Sequence, residues 1–216
     1  MFEITEAISS RMSIIFLLID LIGTFIFAMS GAAAGIRRHF DIFGIFALAA
    51  VTGIGGGVIR DLCIGATPPP GLINPLYMLM IFLAVVASIF FREVIHRLEL
   101  PVLYLDAIGL GFFAAFGANK TYLMTGNLLF AVLMGCVTGV GGGCIRDILS
   151  GSSPNIFSRE IYATAAIAGA GIELLGSTGL INPVVSIWIA IIACSAIRIL
   201  ALHFKINLPR IGAPPS

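Results

Sequence analysis

Charge is scarce in this sequence and lysine is almost missing. Asp, Glu, Lys and Arg make up 11% of the 216 residues, against about 25% in soluble domains. Lysine occurs only as Lys120 and Lys205. So little charge excludes a chain whose main face is turned to water. The net charge is +1, and the basic residues sit scattered at the ends of apolar runs with no basic stripe, which argues against a nucleic-acid partner.

Reactive and metal-binding groups are equally thin. Cys63, Cys136, Cys144 and Cys194 show no C-x-x-C spacing and fall inside apolar segments, where a free thiol behaves as a small hydrophobe. His39, His96 and His203 belong to separate segments and make no zinc set with the cysteines. The stretch GLGFFA at 109–114 fits the G-x-G-x-x-A dinucleotide pattern in letters only, because it lies in an apolar run without strand, turn and helix around it. With no nucleophile elbow and no catalytic histidine constellation, an enzyme is the least supported class, and neither a cofactor nor a bound metal is expected.

What is present is apolar length. Hydrophobic residues reach 59% and the mean hydropathy is +1.08, which marks an integral membrane protein in contact with lipid. A bilayer core of about 30 Å takes about 20 apolar residues per helix. Apolar runs separated by polar and Pro/Gly breaks predict an all-α membrane domain of seven spans, near 13–36, 42–65, 74–95, 101–118, 126–150, 158–176 and 181–203. The breaks include Arg37 to His39, Pro68 to Gly71, Arg97 to Pro101, Asn119-Lys120 and Ser152 to Pro154.

The sequence also repeats itself. VTGIGGGVIRD at 51–61 and VTGVGGGCIRD at 137–147 agree at nine of eleven positions. Sliding the chain by 86 residues aligns them without a gap and pairs Asp20 with Asp106, Gly23 with Gly109, Phe27 with Phe113, Gly31 with Gly117 and Gly65 with Gly151. Two homologous units follow, repeat 1 over about 13–97 and repeat 2 over about 99–180, with an extra helix at about 181–203. Three spans per unit make the second copy inverted in the membrane. The first apolar run pairs with an internal span at 99–118, so it is expected to be a retained helix and not a cleaved signal peptide.

The motif puts poor helix formers and two charges inside a span. Glycines there cost about 1 kcal/mol each relative to Ala, and freed backbone groups cannot face lipid. Gly55, Gly56 and Gly57, and Gly141, Gly142 and Gly143, are expected to kink or unwind spans two and five. Carbonyl oxygens, with the Thr52 and Thr138 hydroxyls nearby, would then be open to a permeant cation. Close helix packing is the alternative, since Gly53-x-x-x-Gly57 and Gly139-x-x-x-Gly143 are small-x-x-x-small patterns. Arg60 with Asp61 and Arg146 with Asp147 are intramembrane charges, which mark a pathway or a structural pair. Neighbours in sequence point about 100° apart on a helix, so Asp20 and Asp106 are the candidate counter-charges. Glu173 has no evident partner in the sequence and reads as an interfacial carboxylate.

Leaving Arg60 and Arg146 aside, one side of the spans receives Arg11 and Lys120. The other receives Arg37, Arg38, Arg92, Arg97, Arg159, Arg198, Lys205 and Arg210. The N-terminus is therefore expected outside and the C-terminus in the cytoplasm.

GGGVIRD and GGGCIRD on spans two and five, in a three-plus-three repeat with one extra span, resemble the trimeric intracellular cation (TRIC) channel family in its prokaryotic branch. The repeat unit there is also known as a glycine transporter domain. The resemblance covers residues 11–205. It implies a homotrimer surrounded by membrane lipids, with a pore in each subunit around the kinked second and fifth helices. That pore would pass monovalent cations, potassium or sodium, chiefly potassium. It makes the two glycine triplets pore kinks and Arg60 and Arg146 gating or electrostatic elements. Unlike the animal relatives, this chain has a short C-terminal tail and no lysine near either triplet in sequence. The second feature argues against lipid regulation through such a lysine, and the lack of a basic tail or reticulum retention signal favours a microbial plasma (inner) membrane. A secondary transporter of a small solute such as glycine remains the alternative, because broken helices in inverted repeats also suit alternating access.

Overall fold

The computed structural model describes residues 2–97, 100–154, 156, 161–204 and 206. Arg159, Lys205 and Arg210 of the orientation count lie outside the described residues. Helices follow one another as α1 (Phe2–Arg37), α2 (Ile42–Cys63), α3 (Pro70–Ile73), α4 (Pro75–Phe90) and α5 (Arg92–Arg97). They continue as α6 (Leu100–Thr125), α7 (Leu128–Leu149), α8 (Ala163–Ser177) and α9 (Pro183–His203). Five are long and apolar enough to cross a membrane, within α1, α2, α6, α7 and α9, while α4 and α8 are shorter apolar helices.

The repeat is visible in how α2 and α7 begin and end. Asp41 caps α2 by accepting from Gly44 N at 2.7 Å, and Asn127, its partner at the same offset, caps α7 by accepting from Phe130 N at 3.0 Å. Both helices end in the same motif. Gly65 (φ +74°) and Gly151 (φ +68°) adopt the left-handed conformation. Ala66 N then donates to Asp61 O and Ser152 N to Asp147 O, each at 2.8 Å, which closes a Schellman turn that only glycine enters without strain.

One expected break is not a break. Asn119 and Lys120 lie inside α6, which runs on to Thr125, because both find partners there: Asn119 bonds Glu173 and Ser177, and Lys120 bonds Asp61. A polar residue within a span is tolerated when its hydrogen bonds are made inside the protein.

The glycine triplets are corrected as well. Helix α2 is α-helical without interruption from Ile42 to Cys63 and α7 from Leu128 to Leu149, so neither triplet is unwound. The Thr52 and Thr138 hydroxyls donate back to Leu48 O at 2.6 Å and Met134 O at 2.5 Å. The middle glycines serve approach: a Cβ on Gly56 would collide with the Thr138 carbonyl, and one on Gly142 with the Thr52 carbonyl. These two contacts run in opposite senses along the helices, so α2 and α7 cross antiparallel, backbone against backbone. The neighbouring helices repeat the device, Gly31 lying against Thr52 and Gly117 against Thr138. Between them the Phe27 and Phe113 rings meet edge to face at 5.1 Å. Positions that the repeat aligns are thus brought together in space across one central contact.

Because a methyl group at Gly56 or Gly142 must push the two helices apart, Gly56→Ala and Gly142→Ala should each cost about 1–3 kcal/mol by overpacking. Nothing lies within 4 Å of a Cβ built on Gly171, so Gly171→Ala should leave stability unchanged or raised. Thermal unfolding of the detergent-solubilised variants checks this, and Gly56→Ala melting with the parent would refute the crossing.

Candidate functional site

Two charge clusters flank the glycine crossing, one at the C-terminal end of α2 and one at that of α7. Since the helices are antiparallel, the clusters lie on opposite sides of the crossing. Each is built around the arginine one turn beyond a triplet.

In the first cluster, Arg60 Nε donates to Asp61 Oδ1 at 2.8 Å, with both side chains almost fully buried. Adjacent residues therefore do pair, despite their different helix faces, because the long arginine side chain bends back. Lys120 reaches across from α6 to the same Asp61 oxygen at 2.7 Å and stays 21% exposed. A lysine is thus bonded to Asp61, four residues after the first triplet, although none is near that triplet in sequence. Asp20 accepts from the Tyr77 hydroxyl of α4. The Arg60 guanidinium lies over the Phe116 ring, 5.0 Å from its centroid, and its Nη1 has no hydrogen-bond partner. Asp20, Gly57, Arg60, Asp61 and Tyr77 line a small cavity, about 10 Å³ for the centre of a water-sized sphere, room for about one water.

The second cluster is more tightly bonded. Arg146 Nη1 donates to Asp106 Oδ1 at 2.6 Å and to Ser30 Oγ at 2.6 Å. Its Nε and Nη2 donate to Asp147 Oδ1 at 2.9 Å and 2.7 Å. The Tyr162 hydroxyl donates to Asp106 Oδ1 at 3.2 Å. Arg198 of α9, 2% exposed, stands over the Tyr162 ring at 4.7 Å. A Cβ on Gly143 would lie 2.5 Å from the Tyr162 hydroxyl and 3.0 Å from Asp106 Oδ1, so the third glycine makes room for this cluster.

The residues singled out from sequence divide between these places. Thr52, Gly56, Thr138, Gly141 and Gly142 form the crossing. Gly57, Arg60, Asp61 and Asp20 belong to the first cluster, and Gly143, Arg146, Asp147 and Asp106 to the second. Gly55 joins neither, for it faces the end of the Ile145 side chain. Sequence reading missed Ser30, Tyr77, Phe116, Lys120, Tyr162 and Arg198. The tyrosines escape because they are 85 residues apart, one short of the repeat. Arg198 was placed among the charges at span ends, yet an arginine inside the apolar run of residues 184–202 was itself a signal.

Glu173 is also corrected. It is fully buried and hydrogen-bonded with Asn119, Ser177 and Ser186, so it is not an interfacial carboxylate. Among the described residues, no group of three or more His, Cys, Asp or Glu converges on a metal site.

The pattern of paired helices is shared with known proteins. The family profile described as "Glycine transporter" matches this chain twice, over residues 17–93 and 103–177. A UPF0126 membrane protein of Deinococcus radiodurans is 43% identical over 155 residues, which is 71% of this chain and 72% of that protein. The UPF0126 inner membrane protein YadS of Escherichia coli K12 is 34% identical over 88% of this chain and 93% of its own length. The crystal structure of the TRIC trimeric intracellular cation channel orthologue from Rhodobacter sphaeroides superposes with a TM-score of 0.83 at 36% identity, covering 89% of this chain and 99% of that one. The twice-matched profile and the likeness in fold and sequence to a solved channel agree with the doubled Gly-Gly-Gly-x-Ile-Arg-Asp motif: this membrane protein belongs to the TRIC channel family, in its prokaryotic branch.

Proposed function

We infer that the chain is a passive channel for monovalent cations, chiefly potassium, with a pathway in each subunit along α2 and α7. The observation that carries this reading is the placement of a glycine crossing between two buried charge clusters. Side-chain-free positions allow α2 and α7 to bend or part at Gly55 to Gly57 and Gly141 to Gly143, and the arginines and carboxylates on either side set the field a cation would meet. The Rhodobacter sphaeroides relative is a trimeric cation channel, which supports the same activity and a homotrimer here. A glycine carrier is not favoured, because the solved neighbour is a channel.

The same reading takes the protein as seven spans in an inverted three-plus-three arrangement, with α1, α2 and α4 in one unit, α6, α7 and α8 in the other, and α9 added. It places the protein in a microbial inner membrane. Arg38 Nη2 bonds Ser152 Oγ at 2.7 Å, so the loop before α2 shares a side with the loop after α7. That side carries Arg37, Arg38 and Arg92. Lys120 and Arg198 leave the count because they sit in the clusters, yet the bias toward a cytoplasmic C-terminus persists. The Arg60 cluster then faces outward and the Arg146 cluster inward.

Reconstituted into planar bilayers, the protein should give discrete unitary currents whose reversal potential follows the potassium gradient. Saturable glycine counterflow without unitary steps would overturn the channel. Crosslinking in mild detergent should give a trimer band.

The two clusters should respond differently to loss of a cation. Arg146→Gln strips two buried carboxylates of their charge partner, which costs about 3–5 kcal/mol, and should abolish assembled protein. Lys120→Gln touches a partly exposed residue, so the protein should assemble. Its potassium conductance should rise at low salt, with the excess fading as salt screens the freed Asp61. Equal conductance at low salt would remove Lys120 from the pathway.

A further inference from the structure

Away from both clusters, at the seam of α6, α8 and α9, lies a carboxyl group that neither the repeat nor the proposed pathway uses. Glu173 is 0% exposed and its partners are neutral. Asn119 Nδ2 contacts Glu173 Oε1 at 2.9 Å and Ser177 Oγ at 2.9 Å. Ser177 Oγ contacts Glu173 Oε1 at 3.2 Å. Ser186 Oγ contacts Glu173 Oε2 at 3.0 Å and Pro183 O at 3.0 Å.

These five contacts draw on four donor protons. Asn119 supplies two, Ser177 one and Ser186 one. A protonated Glu173 carboxyl supplies a fifth, its Oε2–H donating to Ser186 Oγ while Ser186 donates to Pro183 O, whereas an ionised one leaves Ser186 to split a single proton between two oxygens. If Glu173 were ionised, a charge would remain buried with no cation bonded to it among the described residues, an arrangement a low-dielectric interior strongly disfavours.

Several ionisable groups of the packed elements are engaged elsewhere. On α6, Lys120 donates to Asp61, Asp106 accepts from Arg146, and Tyr122 packs partly buried against Ala118, Ala131, Ala170 and Leu174. On α9, Arg198 stands over Tyr162, and Cys194 is buried where α9 meets Gly169. Cys136 of α7 contacts Ala163 O. The close seating itself is built in, because a Cβ on Gly176 would occupy the place of Ser186 Oγ.

We propose that Glu173 is a proton-binding site whose bound proton clamps α9 to α6 and α8, and whose loss on alkalinisation loosens that seam. Glu173 lies one turn from the end of α8, and Ser177 and Pro183 beside it are half-buried, so the proton has a short route to the membrane boundary. The seam's contribution is complete below the pH at which the unfolded carboxyl ionises, declines as pH rises from there, and is gone once the folded carboxyl has ionised. The unfolded chain gives up this proton first as pH rises, so stability falls with increasing pH.

Infrared spectroscopy of the reconstituted wild-type protein at neutral pH should show a protonated-carboxyl C=O band. That band should vanish in Glu173→Gln and move in Ser186→Ala, which removes the acceptor of the proton. In detergent, the wild-type melting temperature should fall as pH rises from the acidic carboxyl range through neutral, while Glu173→Gln, whose amide can donate to Ser186, should lose that dependence. A wild-type spectrum with no such band, or a band unmoved by Ser186→Ala, would overturn the proposal. So would a loss of stability with rising pH that persists in Glu173→Gln. None of these readouts depends on ion conduction.

Discussion

Two peptide carbonyls resting on two glycines hold this molecule in register. Because Gly56 abuts Thr138 and Gly142 abuts Thr52, α2 and α7 meet where neither central position can carry a side chain. That contact determines where the charges go. Arg60 and Arg146 each follow their central glycine by four residues, about one helical turn. An antiparallel crossing therefore sends them to opposite sides of it. The glycines are tolerable, at about 1 kcal/mol of helix propensity each, because the approach they permit is recovered as close packing between helices.

Most of this frame was legible in the sequence, since a duplication advertises itself. The 86-residue offset aligns the Asp41 and Asn127 caps, the Gly65 and Gly151 turns and the Phe27 and Phe113 pair, all of which the fold uses in equivalent ways. What the letters could not reveal is where a polar group in an apolar run finds its partner. Asn119 and Lys120 read as the end of a span because hydropathy counts each polar residue as a loss. Their partners, Glu173 and Asp61, lie 54 and 59 residues away. The same blindness made Glu173 an interfacial residue. Nor could a glycine triplet declare whether it unwinds a helix or lets two helices touch, for both uses require only the absence of a side chain.

The duplication is faithful at the crossing and loose around it. Offset by 86, Ser30 corresponds to Phe116, so Arg146 receives a hydroxyl where Arg60 receives a ring face. Each cluster nevertheless gathers two aspartates and two cationic side chains. The second cation comes from α6 in one case, as Lys120, and from α9 in the other, as Arg198. Charge balance in a low-dielectric interior is a requirement on each cluster as a whole and not on any one pair, which leaves evolution free to meet it with residues outside the repeat.

That freedom gives the helix outside the duplication a physical role. Helix α9 packs against α6 and α8, both of the second unit, and brings Arg198 to Tyr162 and Ser186 to Glu173. Among the described residues the first unit has no helix in the corresponding place, and its cluster keeps a partly exposed lysine and a cavity. Moving Arg146 means breaking bonds to Asp106, Asp147 and Ser30, whereas moving Arg60 breaks a bond to Asp61 alone and gives up the face of a ring. A conformational change that separates α2 from α7 therefore meets less resistance at the Arg60 end, and two halves with the same motif become unequal in how firmly it is held.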